Sequence, residues 1–210
     1  MRGRAGADAD LRGLSLVTAG QAAVRASVAS TADELAAATS LVESRYAWRG
    51  YAVTPYAGVA GATLVATRGA TAVGTVTLRV DGPAGLAADE GYRQAIDAIR
   101  RAGRQVCELT RLAIEADAPW QPTLGALIGL AYLVGRTVHD VTDVFVEVNP
   151  RHERFYERMF GFVAAAGRRI CPRVEAPAVL LRLELERLDL RLRNLGLFAP
   201  VGGQSVALAA

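Results

Sequence analysis

The chain has 210 residues, 51% of them hydrophobic, with a net charge of +3 and only two cysteines. That length suits one large domain with a single substantial core. The two cysteines, Cys107 and Cys171, are too few and too far apart for a disulfide framework, a paired metal-ligand motif or a redox pair, so no metal is expected. No apolar run approaches the roughly eighteen residues of a membrane span, and the N-terminus lacks the apolar region of a signal peptide. A cytoplasmic protein with free thiols is the expectation. All 24 basic residues are arginine, a side chain that grips phosphate and carboxylate bidentately; a GC-rich coding sequence would produce the same bias.

Residues 1–20, with Arg2-Gly3-Arg4 and scattered small residues, show no sustained period and are expected to form a loose tail. Nucleic-acid binding is not expected from so few arginines. Ala23 to Val28 suits a first strand. Thr31-Ala32-Asp33-Glu34 is a capping box opening a helix to about Trp48, with Leu35, Ala38, Val42, Arg45 and Tyr46 on one face. Gly61–Arg68 and Thr71–Val80 are β-branched runs around a glycine turn and predict a hairpin.

After the break at Asp81-Gly82-Pro83, residues 89–102 carry Tyr92, Ile96 and Ile99 at helical spacing, with Gly103 as the stop. Val106–Ile114 is an apolar strand that contains Glu108 and Arg111. Charges there are costly unless paired or used. A helix from about Pro122 to Arg136, the valine-rich strand Asp143–Val148, and a helix opened by Asn149-Pro150 and closed by Gly161 complete a strand-helix-strand unit. Residues 163–170 and 178–186 read as the last strands. A closing helix with Leu185, Leu188, Leu192 and Leu195 on one side ends at Gly196. The boundaries expected are a tail over 1–20, one domain over 21–197 and a second loose tail over 198–210.

Three stretches carry a resemblance to a known family: Glu108-x-x-Arg111, Asn149-Pro150-Arg151-His152-x-x-Phe155-Tyr156, and Cys171-Pro172-x-Val174-x-Ala176-Pro177-Ala178. Together they resemble the FeeM-type N-acyl amino acid synthases, which belong with the acyl-homoserine-lactone synthases to the wider N-acetyltransferase (GNAT) fold. The likeness covers roughly residues 20 to 190. It implies an α/β (α+β) GNAT-like acyltransferase with a central mixed sheet flanked by helices. The activity implied is transfer of a long-chain acyl group from an acyl carrier protein thioester to the amine of an amino acid. No tightly bound cofactor is expected; the co-substrate would be an acyl-phosphopantetheine thioester, on the carrier protein or as acyl-CoA.

Chemically, the amine must be neutral, and deprotonating an alkyl ammonium of pKa about 10.4 near pH 7 costs roughly 4 to 5 kcal/mol. Glu108 is the candidate base, its apolar neighbours raising its pKa. In a regular strand residues 108 and 111 face opposite sides; a β-bulge would bring them to one. The wider fold bends this strand in that way, so Arg111 is a candidate for the acceptor's carboxylate. Tyr156 stands where many acetyltransferases carry the acid that protonates the departing thiolate, although the spacing to Gly161-Phe162 is one residue longer here.

The resemblance further implies substrate-binding positions at Arg45, Tyr46, Trp48, Tyr51, Thr110, Asn149 and His152. Ordinary amphipathic packing competes with that role around Arg45–Tyr51, and a hydrogen bond to the fold competes at His152. Arg100, Arg101 and Arg104, with Arg151, Arg154 and Arg158 and with Arg168, Arg169 and Arg173, are clusters that suit docking of an acidic carrier protein. Acetyl-CoA enzymes hold the pyrophosphate at Gln/Arg-x-x-Gly-x-Gly/Ala; here Gln121-x-x-x-Gly125-Ala126 is displaced and contains Pro122, which lacks an amide donor. The alternatives are a CoA-dependent acetyltransferase, an acyl-homoserine-lactone synthase acting on S-adenosylmethionine, and a silent ligand-binding domain. Oligomeric state is not readable.

Overall fold

The structure, a computed structural model, describes residues 11, 14–18, 23–47, 50 and 61–188 and the backbone of 206–208. Helix α1 (Ala32–Ala47) opens with the expected capping box: the Thr31 amide donates to Glu34 Oε2 at 3.0 Å and the Glu34 amide to Thr31 Oγ1 at 3.2 Å. Amides of Ser30 and Thr31 hold the Glu34 carboxyl below its usual range, so the cap strengthens as that group ionises. The predicted hairpin is strands β3 (Gly61–Arg68) and β4 (Thr71–Val80), turning at Gly69 with φ +61°. Positive φ there is why the turn takes glycine.

Before them lie β1 (Ser15–Thr18) and β2 (Arg25–Val28). Residues 15–18 were expected to belong to a loose tail; instead they pair antiparallel with β2, burying Leu16 completely. A second correction is at the other end, where β10 (Val206–Leu208) pairs parallel with β1. Helix α2 (Asp89–Arg101) stops before Gly103, at φ +76°. Then come β5 (Val106–Ile114), α3 (Trp120–Leu133), a π-helical turn at Val134–Val138 and β6 (Asp143–Val148). A 3-10 turn at Pro150–His152, started by Asn149 accepting from the Arg151 amide, leads into α4 (Glu153–Phe160). Gly161 caps α4 with φ +83°. β7 (Val163–Ala164), β8 (Arg169–Cys171) and β9 (Ala176–Glu184) follow. Residues 185–188 are helical; Leu192, Leu195 and Gly196 of the expected closing helix lie outside the described residues.

The sheet order is β10-β1-β2-β3-β4-β5-β6-β9-β7, with β8 also on β9. Only β1–β10 and β5–β6 are parallel among the described pairs. Helices α3 and α4 cover one face, where Leu64, Leu78, Leu127, Leu130, Val146 and Leu181 form the main core. Leu127 and Leu130 are fully buried, each contributing about 2 to 3 kcal/mol of transfer free energy. A glycine lets α3 sit this close: a Cβ on Gly74 of β4 would meet Thr123 Cγ2 at 2.6 Å. Helices α1 and α2 cover the opposite face, α2 through Tyr92, Ile96, Val106, Phe145 and Leu180, and α1 through Leu41, Val42 and Ala113.

Candidate active site

Strand β5 is bent where the charges sit. Thr77 pairs with Thr110 and Thr75 with Ala113, so Arg111 and Leu112 together oppose Val76. That is a β-bulge, and Arg111 takes it up with φ +57°. Its effect on side-chain direction follows from counting. Cys107 and Leu109 face the α3 side, and Glu108 and Thr110 the other. The extra residue keeps Arg111 on the face of Thr110 and returns Leu112 to the face of Leu109. The Tyr46 hydroxyl, from α1, donates to the Leu112 carbonyl at 3.3 Å and ties the helix to the bend.

The parallel ladder between β5 and β6 runs only from Val106↔Asp143 to Glu108↔Phe145. Beyond it the strands part, β6 remaining paired to β9 on its far side. On the α3 side of this splay is a narrow apolar cavity of about 40 Å³. Leu109 and Leu112 line it from β5, Val146 from β6, Gly135 from the π turn and Tyr156 from α4. The π turn widens the helix beside the cavity. Tyr156 is packed edge-on against Phe155 and Phe162, at 5.5 and 5.6 Å between ring centroids. Burial, with a smaller contribution from Tyr46, pushes its phenol up to about 12. Cys107 also lines the cavity, its thiol raised by burial and then by Glu108, so a thiolate nucleophile is disfavoured.

On the opposite face a second cavity lies between α1 and β3–β5, lined by Thr63, Thr75, Thr77, Val42, Leu35 and Arg111 among others. Arg111 Nη2 is buried there without a hydrogen-bond partner. Thr75 already donates to the Leu64 carbonyl at 2.9 Å. Thr110 neighbours Thr77 across the ladder. A guanidinium beside threonine hydroxyls is a donor set for a carboxylate.

Glu108 is 1% exposed, but it is not open to either cavity. Its Oε2 accepts from the amides of Ala87 and Ala88 at 2.7 and 3.1 Å, at the entrance to α2. This corrects the reading of Glu108 as a carboxylate bordering a substrate space: α2 sets its N-terminus on that carboxylate. Burial raises its pKa, opposed in part by the Ala88 amide, Arg173 and the Ala87 amide. The bulge therefore brings Glu108 and Arg111 to one face without bringing them into one pocket.

Other expected positions separate as well. Arg45 and Tyr46 are half-buried at the end of α1; Trp48 and Tyr51 lie outside the described residues. His152 is exposed and accepts from Arg151 Nε at 3.0 Å, and Asn149 serves as the cap already described. Arg100 is corrected from a docking residue to a structural one, since it binds Asp81, Asp89 and Asp97, each at 2.7 Å. Arg104 is likewise engaged by the fully buried Asp143 at 2.6 Å. Arg101, Arg154 and Arg158 are exposed, as is Arg151.

One charged group near the splay was not read from the sequence as a site residue. Glu147, on β6, has a side chain 5% exposed, one oxygen paired with Arg173 and the other, Oε1, buried without a hydrogen-bond partner. The signal was present in the sequence: a carboxylate in a valine strand next to the Asn149-Pro150 turn, costly on the same grounds as Glu108. Among the described residues no group of three or more His, Cys, Asp or Glu could hold a metal ion, and no helix is long and apolar enough to cross a membrane.

A mixed sheet parted between two parallel strands, with a bulge in the first and an apolar cavity beside the parting, is the arrangement of the GNAT fold. Solved structures with this fold include FeeM, an N-acyl amino acid synthase from uncultured soil microbes, at 23% identity over 82% of this chain and 96% of that one, TM-score 0.73. An acyl-CoA N-acyltransferase from Pseudomonas aeruginosa matches at 16% identity over 76% of this chain and 97% of that one, TM-score 0.54. The acyl-homoserine-lactone synthase LasI matches at 13% over 77% and 90%, TM-score 0.51. No curated protein sequence matches the chain. The model of the family N-acyl amino acid synthase FeeM matches residues 37–184. The chain belongs to that family.

Proposed function

We propose that this N-acyltransferase moves a long-chain acyl group from the phosphopantetheine thioester of an acyl carrier protein to the amine of an amino acid. The observation that carries the reading is the apolar cavity in the β5–β6 gap. Each methylene buried against that lining contributes about 0.8 kcal/mol, so a chain longer than acetyl gains binding in proportion to the methylenes it places there. An acetyl group would leave most of that lining without a partner.

The acceptor is assigned to the other face. Arg111 Nη2 would take its carboxylate, and the threonine hydroxyls around it would complete the donor set. The amine would then meet the thioester where the strands part. Tyr156, whose raised pKa keeps its proton at neutral pH, would hydrogen-bond the departing sulfur from the cavity wall. Glu108 would serve this site indirectly, by fixing α2 over the sheet.

Two observations favour a carrier protein over CoA as the donor. The first turn of α3 contains Pro122, and its Thr123 amide is already bonded to the Pro119 carbonyl at 3.1 Å, which leaves few amides for a pyrophosphate. Arg154 and Arg158 are exposed on α4, the helix that also supplies Tyr156, and would meet an acidic carrier surface. The test is incubation with a C12 acyl carrier protein and each of the twenty amino acids, read by mass spectrometry of the products. An N-acyl amino acid is expected; hydrolysis alone, or a lactone formed only with S-adenosylmethionine, would overturn the reading.

A further inference from the structure

The geometry points to Glu147 as the group that receives the acceptor's amine and takes its proton, an inference that rests on the N-acyl transfer reading above. Glu108, the carboxylate the sequence favours for this work, gives its Oε2 to two backbone amides and, like Glu147, lines neither of the two cavities described. Glu147 differs in the one respect that matters. Its Oε2 is paired with Arg173, but its Oε1 is buried with no hydrogen-bond partner, and the side chain is 5% exposed. A buried carboxylate oxygen without a donor carries an uncompensated desolvation penalty. A cation that arrives with N–H donors removes it.

Placement on the sheet agrees. Glu147 is two residues beyond Phe145, the last β6 residue paired with β5, so it stands where the strands have parted. It shares the face of Phe145 and Glu108, which is also the face of Thr110 and Arg111, while its neighbour Val146 lines the acyl cavity on the other side. Carboxylate recognition at Arg111 and amine recognition at Glu147 thus flank the same gap from β5 and β6. The ionisable groups around Glu147 are Glu108 on β5, Arg173 and Cys171 from β8 and the turn after it, and Tyr92 on α2, with Glu90 also on Arg173. The Cys171 thiol, raised by burial and then by the Glu147 charge, stays protonated and is a weak donor to the Glu147 carboxylate, but no hydrogen bond reaches Oε1.

In the step, one proton passes from the acceptor's ammonium to Glu147. The nitrogen lone pair forms the C–N bond, the C–S bond breaks, and the second nitrogen proton goes to the departing thiolate. The products are the amide and the free thiol, and Glu147 returns one proton to solvent.

The test compares E147Q with the wild-type protein, using the amino acid that wild type acylates best and monitoring folding by circular dichroism and Tm. E147Q is expected to lose about 10²- to 10⁴-fold in kcat/KM for the amine, with the acid limb of the pH–rate profile abolished. A merely structural role would lower Tm and leave that limb in place. E147D, which keeps the charge and withdraws it by one methylene, is expected to fold and to lose at least tenfold; it decides the matter if E147Q does not fold. Full activity in either folded variant, or an unchanged acid limb in E147Q, overturns the assignment while N-acyl transfer stands. No N-acyl product from wild type with any amino acid overturns the transfer reading, and this inference with it.

Discussion

Glu108 provides a test of whether its carboxylate serves the fold or the open site. Its oxygen satisfies two amides at the entrance to α2, and burial, the dominant influence, raises its pKa. Replacement by alanine leaves both amides without an acceptor, at about 1 to 3 kcal/mol each. For a chain of this size each kcal/mol is worth roughly 2 to 4 °C, so E108A should lower Tm on the order of 10 °C. E108Q keeps an oxygen at the same place and removes the charge that burial opposes; its stability near pH 7 should lie within about 1 kcal/mol of wild type. The sign of the pH dependence is fixed by linkage. A folded-state pKa above the unfolded one means the native state holds the proton more tightly. The stability Glu108 contributes is therefore full below its ordinary value of 4.5 and is lost as pH rises through the folded pKa. E108Q lacks that loss, so its stability relative to wild type should improve from pH 4.5 upward. Urea unfolding across pH 4.5–8 measures the difference directly. An E108Q protein that becomes progressively less stable than wild type as pH rises, or an E108A protein as stable as wild type, would refute the reasoning.

Further outcomes follow from the other charged groups. R100A strips three aspartates of their shared partner, one of them, Asp89, only 3% exposed; a loss of about 3 to 5 kcal/mol is expected in urea unfolding. For Asp89 burial acts upward, but Arg100 and the Leu86 amide outweigh it and hold the pKa low, so its stabilisation is present above pH 3.8 and is lost as pH falls. R111M should raise KM for the acceptor tenfold or more with little change in Tm, and should equalise an amino acid with its carboxamide; an unchanged preference for the carboxylate would remove Arg111 from acceptor binding. Charge reversal at both Arg154 and Arg158 should raise KM for a carrier-bound donor and flatten its salt dependence, leaving a simple acyl-pantetheine donor unaffected.

Much of the fold was legible because local chemistry and global packing agree. The Thr31–Glu34 cap, the Gly69 hairpin, the stop at Gly103 and the Asn149 start are short-range features, and each is found where its residues place it. The terminal strands were missed because β1 is four residues long and gains its order from β2 and from a segment nearly two hundred residues away. Burial of a charged strand residue was also legible at Glu108, but its partners were not. Period-two alternation tells which face a side chain takes; it does not tell that the first turn of a helix will be laid over it. Arg100 and Arg104 were misread for a related reason: helical spacing puts arginines on a surface, and only the folded chain shows that Asp81, Asp89 and Asp143 are already there. Glu147 carried the same signal as Glu108, a carboxylate in an apolar strand; the parting of β6 from β5 beside it is what no single segment encodes.

The central claim is that the space between β5 and β6 accommodates a long acyl chain, and it is tested most directly by kcat/KM for carrier-bound donors from C2 to C16 with one amino acid acceptor. The wild-type protein should be at least 10²-fold more active with chains of ten or more carbons than with acetyl, and A131F, which fills the wall, should shift the optimum to shorter chains. A preference for acetyl in the wild-type protein, with A131F indifferent to chain length, would contradict it.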